Sequence, residues 1–340
     1  MLRLQQPSRN AAKHLSTSWK TTRFPSRSPS SAPSHTRALH MTPQSSSQLN
    51  TSHQMPETPQ KPDWSATQYL KFSTERTRPV YDLLSQVLPH MPSASSPSTI
   101  FDLGCGPGNS SAVLASAFPR AAITGMDASA DMLSKARAAN IPNASFVAGD
   151  LATFAPDADA DLVFSNSAFH WLRAPTRLPT LVRLLSGLKP GAVLALQVPD
   201  NYHSGTHELM RTVALQEDTP WRTSFPTSST TGIGKLTDAT RPDLDPIEPY
   251  SEIYNALAPH AASMNIWCTK YVHPLPEPRN VVEWVKSTGL KPFLDCISDE
   301  GVKAQFLERY EEKLSEWLVR TVDGKVLLEY PRLFVVAVRK

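Results

Sequence analysis

Cysteine is scarce in this sequence. Its 340 residues include three cysteines, Cys105, Cys268 and Cys296, which lie far apart and are odd in number. Closely spaced, paired cysteines mark a disulfide framework or a metal site, and neither pattern is present. We therefore expect no structural disulfide and no bound metal, and a reducing compartment is the simplest interpretation.

Long apolar runs are also missing. No stretch approaches the roughly 18 consecutive apolar residues that mark a membrane span, although 40% of the residues are hydrophobic, enough for a sizeable core. Residues 63–340 contain 26 basic and 30 acidic residues. A mildly acidic domain gives no support to nucleic-acid binding. We expect neither a membrane nor a nucleic acid as partner.

Residues 1–62 contain almost no acid. One acidic residue, Glu57, stands against eight Lys and Arg, and Ser, Thr and Pro are abundant. This composition predicts disorder in isolation. The first ~40 residues also fit an organelle transit peptide, since they are rich in Arg and Ser and lack a continuous apolar core. A plain low-complexity extension, or initiation at Met41 or Met55, is the alternative, so mitochondrial and cytoplasmic locations both stay open.

Residues 63–340 alternate strands and helices. A helical pattern follows Arg78-Pro79 and runs through Leu88. Strands are predicted at 99–103, 122–126, 145–148, 161–165, 192–198, 264–272 and 333–338. Near-continuous apolar strands separated by helices predict an α/β fold with a Rossmann-like, doubly wound, mostly parallel sheet. Residues 223–249 lack periodicity, and we interpret them as a long exposed low-complexity loop.

The stretch Ile100–Gly108 carries the strongest signal. An apolar strand containing Asp102 is followed by glycines at alternate positions, Gly104, Gly106 and Gly108. Glycine lets a ligand approach the backbone, because no Cβ stands in the way. A dinucleotide-binding turn would need a third glycine where Asn109 stands. The pattern instead resembles the first motif of class I S-adenosylmethionine (SAM) methyltransferases.

Acidic residues end the next two predicted strands, where open α/β sheets bind their ligands. A carboxylate at Asp127 can accept both ribose hydroxyls, and one at Asp150 can accept from an adenine amino group, with Leu151 beside the ring. Either acid alone is better explained as a turn or N-cap residue, and the combination of both with the glycine loop favours the cofactor role. The predicted cofactor-binding set is Asp102, Gly104, Cys105, Gly106, Asp127, Asp150, Leu151 and Asn166.

The fourth predicted strand ends in Ser165-Asn-Ser-Ala-Phe-His-Trp171. Small polar residues there let the chain pass close to a bound cofactor. Trp171 offers a large apolar wall, although core packing explains it as well. His170 offers a polar handle, and a satisfied histidine without a catalytic role is the favoured interpretation.

Blocks along the chain resemble the trans-aconitate methyltransferases. They are residues 62–79, 102–110, 123–127, 166–172, 197–201, 283–292 and 330–337. The resemblance runs in order from Pro62 to Lys340. It implies a seven-stranded class I fold with helical substrate-cap elements, and SAM-dependent methyl esterification of one carboxylate of trans-aconitate, with position 2 favoured over position 3. It also implies a role in removing that acid. Residues 223–249 and the N-terminal extension depart from the family pattern.

Such a reaction needs no general base, because a carboxylate is already ionised at neutral pH. We therefore expect no catalytic acid or base, and a small-molecule polycarboxylate as substrate of a monomer. Arginine suits bidentate capture of carboxylates, and aromatic residues can wall the site. The predicted substrate-binding set is Trp64, Tyr69, Arg76, Arg78, Trp171, Trp284 and Arg332.

Two other functions fit the same glycine loop. One is methylation of a different carboxylate, such as a malonyl thioester on a carrier protein. A carrier favours a basic docking face, which the mildly acidic domain does not suggest. The other is a non-catalytic SAM-binding protein that regulates a partner.

Overall fold

The computed structural model describes residues 71–91, 93, 96, 98–226, 233 and 241–340. Its centre is a seven-stranded sheet in the order β3-β2-β1-β4-β5-β7-β6. The strands are β1 (Thr99–Leu103), β2 (Ala122–Asp127), β3 (Ala144–Ala148), β4 (Leu162–Asn166), β5 (Val193–Pro199), β6 (Ala261–Leu275) and β7 (Val326–Arg339). The first five are parallel, and β7 runs antiparallel to both β5 and β6. The predicted fold class is confirmed.

Nine α-helices in the described residues flank this sheet. They are α1 (Ser73–Val87), α2 (Asn109–Ala117), α3 (Ala130–Ala138), α4 (Ala174–Gly187), α5 (Gly205–Ala214), α6 (Tyr250–Leu257), α7 (Pro278–Lys286), α8 (Lys291–Asp295) and α9 (Glu300–Trp317). None of the helices in this part of the chain is long and apolar enough to cross a membrane.

The central strands are buried on both faces. In β5, Val193 and Ala195 pack with helices α1 and α2, whereas Leu194 and Leu196 pack with α4 and α6. Side chains of a strand alternate between faces, so apolar residues at every position fill two layers at once. This double burial explains the continuous apolar runs of the sequence.

A third apolar cluster forms a cap beyond the sheet. It combines α5, α7 and α9 with the first half of β7, and Trp284, Phe306 and Tyr310 are almost fully buried within it. Phe225 and Ile233 belong to the same cluster and are fully buried. The expectation that residues 223–249 are exposed is therefore wrong for Phe225 and Ile233, whereas Thr223, Pro226, Pro246 and Pro249 are exposed as expected.

Helix boundaries differ from the predictions in two places. Helix α1 starts at Ser73 and contains Pro79, whereas the prediction began the helix after that proline. Helix α5 occupies a stretch in which no regular pattern was predicted. The extension 1–62, with its possible transit peptide, lies outside the described residues, as do Trp64 and Tyr69. The expected monomer stays a prediction.

Candidate active site

The glycine loop connects β1 to α2. Gly104, Gly106 and Gly108 all have positive φ angles, of 70°, 55° and 95°. A Cβ on Gly104 would lie 2.2 Å from the Cβ of Ala168, on the turn after β4. The amides of Gly104 and Cys105 donate to the carbonyl oxygen of Met126 at 2.7 and 3.0 Å. The loop is therefore held against β2, in a conformation that glycine adopts at little cost.

Asp127 joins the end of β2 to this loop. Its Oδ2 accepts from the amide of Gly106 at 2.8 Å, and its Oδ1 accepts from the amide of Ser129 at 2.9 Å. A carboxylate has about four acceptor positions. Asp127 can therefore also accept hydroxyl groups of a ligand, and it lines the cavity above the loop.

Asp102 lies beneath the loop and is fully buried. Its Oδ2 accepts from the hydroxyls of Ser110 and Ser111 at 2.7 and 2.6 Å, which ties β1 to the first turn of α2. Burial raises the pKa of this carboxyl from 3.8 to about 6, against the lowering effect of the two hydroxyls. Asp102 supports the loop from below and does not line the cavity.

Asp102→Asn is expected to stabilise the protein at alkaline pH. Because the folded-state pKa is raised, this carboxyl favours folding below its ordinary pKa, and that contribution is lost as the pH rises through about 6. The free energy of unfolding of the variant should exceed that of the wild type by up to about 3 kcal/mol near pH 8, and the two should be similar near pH 4. Thermal unfolding across this pH range measures the difference. The exposed Asp157→Asn is the control; parallel curves for wild type and Asp102→Asn would contradict the prediction.

The loop opens into a cavity of about 340 Å³ at the carboxyl ends of the parallel strands. On the β4 side, Asn166 and Ser167 line it, followed by His170 and Trp171. Oδ1 of Asn166 and Nδ1 of His170 are buried and have no hydrogen-bond partner among the described residues. Such atoms at a cavity wall are suited to bind a ligand, because unpaired buried polar groups are costly.

Two histidines of the cavity are neutral at physiological pH. Burial, and then the charges of Arg177 and Arg332, lower the pKa of His170 to about 3. Burial and then Arg211 lower the pKa of His207 to about 3. The positive charge of the cavity therefore comes from arginine.

Arg332 and Arg76 share one aromatic wall. Nη1 of Arg332 donates to Oγ of Ser167 at 2.9 Å and to Oε1 of Gln197 at 3.0 Å, and its guanidinium lies 5.0 Å from the Tyr330 ring. Nη2 of Arg76 donates to the carbonyl oxygen of Trp284 at 2.8 Å. The rings of Trp284 and Tyr330 are 5.9 Å apart. Both guanidinium groups are therefore buried, oriented and positioned at the cavity.

Most of the predicted site residues are brought together. Gly104, Cys105, Gly106, Asp127, Leu151, Asn166, Arg76, Trp171, Trp284 and Arg332 all line the cavity. Asp102 and two others do not. Arg78 is exposed and lies against the outer side of Tyr271, at 5.3 Å from its ring. Asp150 is exposed, and its Oδ1 accepts from the amide of Ala152 at 2.8 Å, as in a simple turn.

Sequence reasoning missed a further group at the cavity. Tyr202 reaches it from the segment before α5, His207 and Arg211 reach it from α5, and Asp243 and Asp245 reach it from the segment after residue 240. A signal for α5 was present, since Thr206, Met210 and Val213 are buried at helical spacing. For Asp243 no local pattern indicates a cavity position.

Several known proteins are similar to this chain. A family model described as a methyltransferase domain matches residues 100–191. Trans-aconitate 2-methyltransferase of Rhodopseudomonas palustris (strain BisB18) is 42% identical over 277 residues, which span 82% of this chain and 99% of that protein. The enzyme of the same name from Agrobacterium fabrum is 41% identical with the same coverage. Among solved structures, the YcgJ protein of Bacillus subtilis aligns with a TM-score of 0.45 and 13% identity over 76% of this chain and 98% of that one.

The strand order, the glycine loop and the matching domain define a SAM-dependent methyltransferase of class I. The cavity fits this cofactor, because Gly104 and Gly106, both with positive φ angles, present backbone without side chains to it, and Asp127 lines it with acceptors for hydroxyl groups. Sequence identity above 40% over nearly the whole length of its relatives also identifies the family. The chain belongs to the trans-aconitate 2-methyltransferase family.

Proposed function

We propose that this protein transfers the methyl group of SAM to one carboxylate of trans-aconitate, giving the monomethyl ester at position 2. The names of its relatives support the acid and the position. The observation that carries the proposal is a single cavity that contains the glycine loop and the guanidinium groups of Arg76, Arg211 and Arg332. A small molecule with several carboxylates is the ligand that such a set of cations binds best.

For the cofactor, we propose that the backbone of Gly104, Cys105 and Gly106 holds the amino-acid end and that Asp127 accepts the ribose hydroxyls. Leu151, which is partly buried, would lie beside the adenine ring. Oδ1 of Asn166 would accept a hydrogen bond that no described residue supplies. Asp102 would act by supporting the loop, and Asp150 by shaping the turn before Leu151.

For the acid, we propose that Arg332 and Arg76 together bind one of the two carboxylates that are not methylated. Arg332 is suited to this because Ser167, which accepts its hydrogen bond, directly follows Asn166. Its guanidinium lies 5.0 Å from the ring of Tyr330, on the aromatic wall of Trp284 and Tyr330. The role proposed for Arg78 in sequence terms has no support from its exposed position.

In this reaction the main task of the protein is to position the acid against the methyl group of SAM. Bound SAM supplies an electrophilic methyl group on a sulfonium. The acceptor carboxylate is ionised at neutral pH, so no residue has to remove a proton. Arg332 and Arg76 would hold the acid in line, and orientation of this kind supplies several kcal/mol of a reaction barrier. Trp171, Trp284 and neutral His170 would keep water from the nucleophile.

The direct test is incubation with methyl-labelled SAM and a panel of polycarboxylic acids. We expect a base-labile methyl ester from trans-aconitate, with the label on the carboxylate at position 2 when the product is resolved. A panel that includes malonyl thioesters on a carrier protein separates the alternative substrate. Absence of any ester from trans-aconitate, in a preparation that binds SAM, would overturn the proposal.

A further inference from the structure

Residues 241–248, here called the strap, are fastened to the N-terminal end of α4. Arg173 donates to the carbonyl oxygens of Asp243 at 2.7 Å and Arg241 at 2.5 Å. The amide of Ala174 donates to Oδ2 of Asp245 at 2.8 Å. Nη1 of Arg177 donates to the carbonyl oxygen of Pro246 at 3.0 Å and to Oε2 of Glu248 at 2.8 Å. The strap is therefore a defined part of the cavity wall.

The side chain of Asp243 faces from the strap towards Arg211 on α5. Its side chain is 2% exposed, and its Oδ1 lies 3.7 Å from Nη1 of Arg211. The hydroxyl of Tyr202 donates to Oδ2 of Asp243 at 3.4 Å. The separation of 3.7 Å exceeds a hydrogen bond, so the two charges attract without a shared proton. Asp243 therefore orients Arg211 through its charge and occupies none of the N–H donors of Arg211.

Arg211 is otherwise held from one side. Its Nη2 donates to the carbonyl oxygen of Tyr202 at 2.7 Å, and its guanidinium stacks 4.1 Å from the Tyr202 ring. Guanidinium carries five N–H donors, of which one is used by a described residue. The side chain keeps 17% of its surface exposed, and it lines the cavity. Arg211 is thus an oriented cation with donors available to a ligand.

Arg211 has different neighbours from the other two cations. Arg76 and Arg332 contact Trp284 and Tyr330, whereas Arg211 contacts Tyr202 and Asp243. The cavity therefore offers carboxylate-binding groups at two separate places. A tricarboxylate has two carboxylates left for these two places when its third receives the methyl group, whereas a dicarboxylate that keeps its acceptor has only one left.

We propose that Arg211, oriented by Asp243 and Tyr202, is a second carboxylate receptor that makes this enzyme select tricarboxylates over dicarboxylates. This inference rests on the proposed function, because it assumes that trans-aconitate is the acid bound. It assigns a specificity role to α5 and the strap, distinct from the site of Arg332 and Arg76. Asp243 is a positioning residue in this arrangement, since it acts through Arg211.

The test compares Arg211→Met with the wild type, using trans-aconitate as substrate and two dicarboxylates that keep the acceptor at position 2, mesaconate and itaconate, as inhibitors. Each dicarboxylate lacks one carboxylate of trans-aconitate. We expect KM for trans-aconitate to rise about 10- to 100-fold, as for loss of a charge-assisted hydrogen bond. The inhibition constant of one dicarboxylate should change less than about threefold, because it lacks the carboxylate that Arg211 binds. The Kd for SAM should not change.

Arg211→Lys keeps the charge without the planar fork and should recover part of the loss. If Arg211→Met does not fold, Arg211→Lys still tests the proposal. Thermal unfolding of both variants shows whether each is folded. Arg309→Met is the control, since Arg309 pairs with Glu312 and Gln216 on the surface and does not line the cavity. An unchanged KM for trans-aconitate, or equal losses for substrate and both dicarboxylates, would overturn the proposal. A wild-type enzyme that fails to methylate trans-aconitate would instead overturn the proposed function.

Discussion

Gly104→Ala is expected to weaken SAM binding by about 100-fold or more. The new Cβ would stand 2.2 Å from the Cβ of Ala168, and Gly104 has a φ of 70°. A left-handed conformation costs an alanine roughly 1–2 kcal/mol, and forcing an extra carbon into packed surroundings costs typically 1–3 kcal/mol more. The backbone must shift to relieve the contact, and it is the backbone that shapes the proposed cofactor site.

Two other glycine variants separate these causes. Gly106 has a φ of 55°, and no heavy atom lies within 4 Å of the Cβ that Gly106→Ala would add. Only backbone strain should remain in this variant, and SAM affinity should fall about tenfold. Gly187→Ala has neither a positive φ nor a close atom and should leave SAM binding unchanged. Calorimetric titration with SAM measures all three, with thermal unfolding as a check on folding. Equal affinities for Gly104→Ala and Gly187→Ala would show that the loop does not form the cofactor site.

Arg332→Met is expected to lower kcat/KM for trans-aconitate by about 100-fold or more. Truncating one partner of a buried, hydrogen-bonded charge pair costs on the order of 2–5 kcal/mol, and Arg332 is 4% exposed at the cavity. The loss should appear mainly as a higher KM for the acid. SAM affinity should fall less than about tenfold, through the lost hydrogen bond to Ser167 next to Asn166.

Arg78→Met is the matched control for this experiment. Both guanidinium groups lie against the ring of Tyr271, at 5.3 Å for Arg78 and 5.9 Å for Arg332, but only Arg332 lines the cavity. Arg78→Met should therefore leave KM for both ligands unchanged. Arg332→Lys should fall between wild type and Arg332→Met, because lysine keeps the charge but not the bidentate fork. Similar kinetics for Arg332→Met and Arg78→Met would refute a role of Arg332 in binding the acid.

The fold was predictable because its signals are local. The apolar strands, the helices between them and the glycine loop each occupy a few neighbouring residues, and β1 was predicted with its observed bounds. The failures also have local causes. Pro79 is accommodated within α1, although an interior proline usually breaks a helix. The described part of 223–249 has no periodicity, yet Ile233 and Asp243 are buried because the cap packs around them.

The candidate site was predictable only in part. Alternate glycines and strand-end acids indicate a cofactor site, because the carboxyl ends of parallel strands meet at one edge. Composition alone cannot separate Arg76 from Arg78. Two positions apart on a helix, they lie about 200° apart around its axis, so α1 turns Arg76 to the cavity and Arg78 to the outside.

By itself, the sequence determined the features that indicate a site for the methyl donor, namely the sheet, the glycine loop and Asp127 beside it. Only the tertiary structure decided which cations line the cavity. Arg76, Arg211 and Arg332 lie on α1, α5 and β7, far apart along the chain, and they meet because the cap helices pack over the sheet edge. No local pattern encodes such a meeting, since it depends on the packing of many apolar residues and on the strap that holds Asp243 beside Arg211.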